Sequence, residues 1–300
     1  MTTPKLISML LIAWLPSMFV MPVAADEPFE TTTFFNPNGL RVTVDFYEAD
    51  AGHEAPIIVL YHQARWSRGE YREIAPKLNA MGFHALAVDQ RSGDQVNGVE
   101  NETAKAAKEA SLGTAFIDAI PDLQIALLVA QSKTSGPIIT WGSSYSSALA
   151  LKVVAEDSGK TPIAAVLAFS PGEYFPDREL IQMAVRNLTV PTFITSSRSE
   201  ANNYAAIVEA IPESTPVVTF RPDTAGKHGS SALWSTNADS EAYWAAVEGF
   251  LAPFLASQSK SPGIRLDANG LHLEPNGSMQ LLPNCLFHLI LTNLSNNQRP

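Results

Sequence analysis

The sequence predicts an α/β domain built on a mostly parallel, doubly wound sheet with helices on both faces. Three observations predict it. Runs such as Pro56-Ile-Ile-Val-Leu-Tyr61 are continuously apolar, as strands buried on both faces of a sheet must be. Longer segments with apolar residues at helical spacing lie between such runs, and the two kinds alternate almost without a break from Pro56 to Leu255. Within Pro137–Val154 a β-branched run breaks at Gly142 and resumes as helix, so strand and helix meet there through a tight turn.

Residues 1–25 stand apart from that pattern. Lys5 precedes a mostly apolar core from Leu6 to Val20, and Val23-Ala-Ala25 supplies small residues before Asp26. This reads as a signal peptide cleaved after Ala25, with export to the periplasm or exterior expected. The alternative is an uncleaved anchor, against which Pro16 and the short core both argue. Cleavage would remove Lys5 and take the formal net charge from −10 to −11. No Lys/Arg cluster offers a nucleic-acid footprint. The single cysteine, Cys285, excludes an internal disulfide framework and a cysteine-based zinc site. The remaining length suits one large domain, residues 26–256.

The elements follow in order. Thr31–Phe35 and Leu40–Tyr47 form a leading hairpin around the turn residues Asn36-Pro-Asn-Gly39. Pro56–Tyr61 is the third strand, Glu70–Met81 a crossover helix stopped by Gly82, and Phe83–Val88 the fourth strand. Asp94–Leu112 is polar and alanine-rich, a surface loop with one short helix, and Thr114–Ser132 is amphipathic. After the central strand and helix come strands at Ile163–Phe169, Pro191–Thr195 and Pro216–Phe220, making eight. Helices lie at Arg178–Leu188, Tyr204–Ile211 and Glu241–Leu255. Ser257–Gly263 reads as a linker, and residues 257–300 form a tail with no assigned role; its apolar Leu281–Leu294 is too short and Pro-broken to span a bilayer.

Ser144 sits at the Gly142 turn, between the small residues Gly142 and Ser146, where a strained backbone lifts its hydroxyl above the sheet edge. With Tyr61-His-Gln-Ala64, Ala87-Val-Asp-Gln-Arg-Ser-Gly93 and Thr140-Trp-Gly-Ser-Ser-Tyr-Ser-Ser147, the order of elements resembles the α/β-hydrolase fold, more narrowly its dienelactone-hydrolase-like branch, over residues 34–255. Ser146 departs from the usual second glycine of the motif. The resemblance implies a nucleophile, an acid and a histidine in that chain order, acting on esters or related acyl compounds.

A serine hydroxyl needs a base. Of six histidines, His228 in the Asp223–Gly229 loop after the eighth strand lies where the fold needs one. Glu200, in the loop after the seventh strand, is the expected acid, and Glu173, after the sixth, is the alternative. The backbone N–H of Tyr145 is one expected oxyanion donor. The resemblance points to Gln63 N–H as the other, with Ala64 as alternative. Arg65, Trp66, Tyr145, Tyr174, Phe175 and Trp234 are candidate pocket residues, while Asp89 and Arg91 read as structural ties. No phosphate loop, His-Glu-x-x-His or dinucleotide fingerprint occurs, so no cofactor or metal is implied. The sequence therefore points to an exported serine hydrolase, most simply a carboxylesterase with a small-molecule ester substrate. The alternative is a catalytically silent scaffold that binds a ligand at the same edge.

Overall fold

Strand β1 (Glu30–Phe35) pairs antiparallel with β2 (Arg41–Tyr47), and the Asn36 side chain closes the turn between them by accepting from Asn38 N–H and Leu40 N–H. The computed structural model describes residues 28–157, 159–256, 264–267 and 270–273. The signal-peptide reading, Cys285 and most of the tail lie outside the described residues. Ile264–Asp267 and Gly270–Leu273 pair with each other as two antiparallel strands.

The chain then alternates. β3 (Ile57–Tyr61) leads to α1 (Ile74–Ala80) and β4 (His84–Val88); α2 (Glu102–Glu109) and α3 (Ile120–Lys133) precede β5 (Ile138–Ser143), which runs into α4 (Tyr145–Glu156). β6 (Ile163–Phe169), α5 (Leu180–Ala184), β7 (Thr192–Thr195), α6 (Ala205–Ala210), β8 (Val217–Phe220) and α7 (Ser240–Ala256) complete it. The sheet order is β1-β2-β4-β3-β5-β6-β7-β8, with β3 to β8 mutually parallel and β2 antiparallel to β4.

Period-two alternation sends neighbouring residues of one strand into two separate cores. Ile57, Val59 and Tyr61 pack with Leu123, Leu149, Ile181 and Ile207 of α3 to α6, whereas Ile58 and Leu60 pack with Ile74, Leu78, Tyr243 and Leu251 of α1 and α7. That is why β3 is buried at every position. Each such side chain contributes about 1.5–3 kcal/mol by leaving water.

Three expected helices are shorter than their apolar spacing suggested. The segment expected as helix from Glu70 is a 3-10 turn, Arg68–Tyr71, before α1, because the Arg68 guanidinium is drawn to Asp45 and Asp89 and its N–H donates to Asp89 Oδ1. Phe116–Ala119 is likewise 3-10, with Pro121 in the first turn of α3, and α5 tightens to 3-10 at Val185–Asn187. The Asp94–Leu112 segment adds a short ribbon, Gln95–Val96 with Val99–Glu100, before α2. Among the described residues no helix is long and apolar enough to cross a membrane.

Candidate active site

β5 ends at Ser143, α4 begins at Tyr145, and Ser144 alone makes the turn, at φ 59° and ψ −126°. A non-glycine residue held there costs roughly 1–3 kcal/mol, which the surrounding bonds must offset. Ser144 N–H donates to Phe169 O at 2.7 Å. Gly142 is required because a Cβ there would stand 2.3 Å from Ser147 Cα and 2.5 Å from Ser146 O. Ser146 tolerates its own side chain because the hydroxyl is fully used: its one proton is shared between Tyr61 O at 2.8 Å and Ser143 O at 2.9 Å, and its oxygen accepts from Ser143 N–H at 3.0 Å. Its departure from glycine thus fastens the turn to the end of β3.

Glu200 and His228, from different strand ends, meet with Oε1 2.5 Å from Nδ1. The other oxygen of Glu200 accepts from Ser170 Oγ at 2.9 Å and from Ser197 N–H at 3.2 Å. Burial alone would raise this carboxyl, but the hydrogen bond and charge of His228, with Ser197 and Ser170, reverse it and bring it down to about 2. An ionised carboxylate only accepts, so the imidazole proton sits on Nδ1 and the Nε2 lone pair is available to a second partner. Ser144 Oγ and His228 make no hydrogen bond to each other among the described residues. Their neighbours do touch: Ser230 N–H donates to Ser143 Oγ at 2.8 Å, and Gly229 N–H donates to Ser170 Oγ at 3.0 Å, one residue beyond the carbonyl that anchors Ser144.

Tyr145 N–H, at the start of α4, has no partner among the described residues. The Gln63 N–H is taken: it donates to the buried Glu70 carboxylate at 2.8 Å. This changes the expectation for the loop after β3, because a donor committed to a carboxylate is not free for an oxyanion. The alternative donor, Ala64 N–H, makes no hydrogen bond among the described residues.

Comparisons with known proteins bear on the fold that carries this site. No family model and no curated protein matches the sequence. Solved structures do. A carboxyl esterase from Bacillus coagulans, solved with glycerol, superposes with a TM-score of 0.60 at 11% identity, covering 76% of this chain and 99% of that one. For an esterase from Pyrococcus furiosus the values are 0.57, 16%, 75% and 91%. For a dienelactone hydrolase from Anabaena variabilis they are 0.56, 14%, 76% and 99%. The chain has the α/β-hydrolase fold. Its sheet order, with β3 and β4 exchanged about β5 at the centre, puts Ser144 at the carboxyl end of the central strand.

On the α/β-hydrolase scaffold the remaining candidates separate. Among the described residues Glu173 makes no hydrogen bond to His228; its carboxylate accepts from Ile181 N–H and Gln182 N–H at 2.8–3.1 Å and caps α5. The Tyr145 ring is fully buried and stacked on Phe116, and Phe175 is 3% exposed, so both belong to the core rather than to a pocket wall. Tyr174 donates to Ser170 O at 2.7 Å; burial raises its hydroxyl to about 12, with Ser144 opposing and Glu200 reinforcing the rise. Trp66 and Trp234 stack at 5.1 Å, and Arg65 is exposed at φ 64°. His62 is structural: its Nε2 accepts from Gln90 N–H and Asn101 Nδ2, which assigns the proton to Nδ1 beside Gln63 O, and burial lowers it to about 4. His84 is tied to Ala49 N–H and Gly52 O. Asp89 and Arg91 are ties as expected, to Arg68 and Asp122. Among the described residues no three His, Cys, Asp or Glu side chains are grouped to hold a metal. Two contributors went unnoticed in the sequence, Ser170 and Glu70. Neither lies in a motif, and only the crossing of separate strand ends brings them to the site.

Proposed function

We propose that this protein is a serine hydrolase that cleaves small carboxylic esters through an acyl-enzyme. The observation that carries the reading is the 2.5 Å contact between Glu200 and His228, on a loop bonded to the residue preceding Ser144. Glu200 holds the imidazole in the tautomer whose Nε2 carries no proton. Nε2 takes the Ser144 proton as Oγ attacks the acyl carbon, and the tetrahedral oxyanion is received by the N–H groups of Tyr145 and Ala64. His228 then protonates the leaving alkoxide, and water repeats the cycle on the acyl-enzyme. Catalytic hydrogen bonds of this kind tighten in the substrate complex, and the Ser144–His228 bond is expected to close there. That proteins of like fold are named esterases and a dienelactone hydrolase supports the ester class.

The test is labelling by an organophosphonate probe with turnover of p-nitrophenyl esters of graded acyl length. Both are expected in the wild type and in Cys285→Ala, and both vanish in Ser144→Ala. A folded protein that neither labels nor turns over any ester would leave the binding-scaffold reading instead. Export is a further part of the proposal, supported by the pattern of residues 1–25. Sequencing the mature amino terminus checks it, Asp26 being the expected first residue.

A further inference from the structure

Glu70 takes no part in that scheme, yet its side chain and carbonyl tie together three of the segments that form the site. It lies on the Arg68–Tyr71 turn, 0% exposed. Oε2 accepts from Gln63 N–H at 2.8 Å and Oε1 from Ser143 Oγ at 2.7 Å. Ser143 Oγ in turn accepts from Ser230 N–H at 2.8 Å, and the Glu70 carbonyl accepts from Trp234 Nε1 at 2.9 Å. One residue therefore links the loop after β3, the residue before Ser144 and the loop carrying His228. The space around this junction is tight: a Cβ on Gly229 would stand 2.5 Å from Ser143 Oγ and 2.7 Å from Gln63 Oε1. A carboxyl buried this deeply is costly unless its oxygens are used, and both are.

The bond to Gln63 has a consequence for the proposed chemistry. With its N–H turned onto Glu70, Gln63 presents no backbone donor at the mouth of the turn, and the next peptide plane, that of Ala64, keeps its N–H free. We propose that Glu70 is a positioning residue that selects Ala64 N–H as the second oxyanion donor, by holding Gln63 N–H and the Ser143 hydroxyl on its carboxylate. This rests on the reading of Ser144 as nucleophile. It requires a side chain long enough to reach both donors and an acceptor facing Gln63. Aspartate is one methylene too short. Glutamine keeps an oxygen for Gln63 and turns its amide N–H toward Ser143 Oγ, so it preserves both ties.

The experiment measures kcat and KM for a p-nitrophenyl ester in Glu70→Asp, Glu70→Ala and Glu70→Gln, each normalised to sites titrated by the organophosphonate so that misfolded protein is not counted. Losing an oxyanion donor lowers kcat by about 10²–10³, and since that donor acts in the transition state KM stays within about twofold. That result is expected for the aspartate and alanine variants, with recovery to within about tenfold of wild type in glutamine. Wild-type kcat per titrated site in Glu70→Asp overturns the proposal, as does a rise in KM at unchanged kcat. Should the alanine variant fail to fold, the aspartate and glutamine pair decides. Full turnover in Ser144→Ala would overturn the nucleophile and this proposal together, whereas an inactive Ser144→Ala beside unaffected Glu70 variants overturns this proposal alone.

Discussion

Gly142→Ala tests the closeness of strand and helix at the Ser144 turn. The added Cβ would stand 2.3 Å from Ser147 Cα, 2.5 Å from Ser146 O and 2.5 Å from Ser147 N, against an ordinary contact of 3.4 Å or more. Every obstructing atom is backbone, so no side chain can swing aside. The first turn of α4 must retreat from β5 by roughly 1 Å, and Ser144 moves with it. Overpacking of this kind costs about 1–3 kcal/mol, and in a domain of this size each kcal/mol lowers the melting temperature by about 2–4 °C. A displacement of about 1 Å at the proposed nucleophile should cost on the order of 10² in rate. Calorimetry and the acylation rate of the labelled site measure the two effects. Gly249→Ala is the control: it lies exposed in α7 with nothing within 4 Å of the new Cβ, so the same substitution should stabilise by about 0.5–1 kcal/mol and leave turnover alone. A Gly142→Ala protein with wild-type melting and acylation would refute the close approach.

Other expectations concern the carboxylates and a buried imidazole. Glu200→Ala should lower kcat by roughly 10³–10⁴ while leaving the fold intact, because it removes the group that sets the His228 tautomer; steady-state kinetics measures it. Glu173→Ala should instead cost about 1 kcal/mol in urea unfolding, as the loss of a helix cap does, with turnover unchanged. A large loss of kcat there would return Glu173 as the acid. His62 is lowered from 6.5 to about 4 by burial, so it contributes stability that is present above pH 6.5 and lost as pH falls through about 4, about 3 kcal/mol in all. Asp89 and Glu70, raised by burial to about 6 and about 7, act in the opposite sense, their contributions being lost as pH rises. The comparison is therefore wild type against His62→Gln, by urea unfolding at pH 7 and pH 4, in which those two carboxyls cancel. An equal pH dependence in both proteins would contradict the burial argument.

How much of this could be read before the structure depends on how local each signal is. The eight strands lie within a residue or two of the runs expected for them, most plainly where a strand is covered on both faces and apolar at every position, as Ile57–Tyr61 is. Helix ends were harder: the Glu70–Met81 spacing is helical, but ion pairs from Asp45 and Asp89 to Arg68 hold the first turn in another form. The serine turn was visible in Gly142 and Ser144. Glu200 and His228 were legible as candidates through chain order alone. Glu173 carried nearly the same local signal, and only its bonds to Ile181 and Gln182 separate the two.

By itself the sequence determined the alternation of strands and helices and the strained turn at Ser144, since both depend on residues adjacent in the chain. Only tertiary structure decided that Gln63 N–H is occupied, that Ser170 braces Glu200, and that Glu70 joins three loops. The physical reason is that a hydrogen-bond donor is spent or free according to what lies across from it. For Gln63 and Ser143 the facing group is one buried carboxylate, 7 residues from the first and 73 from the second.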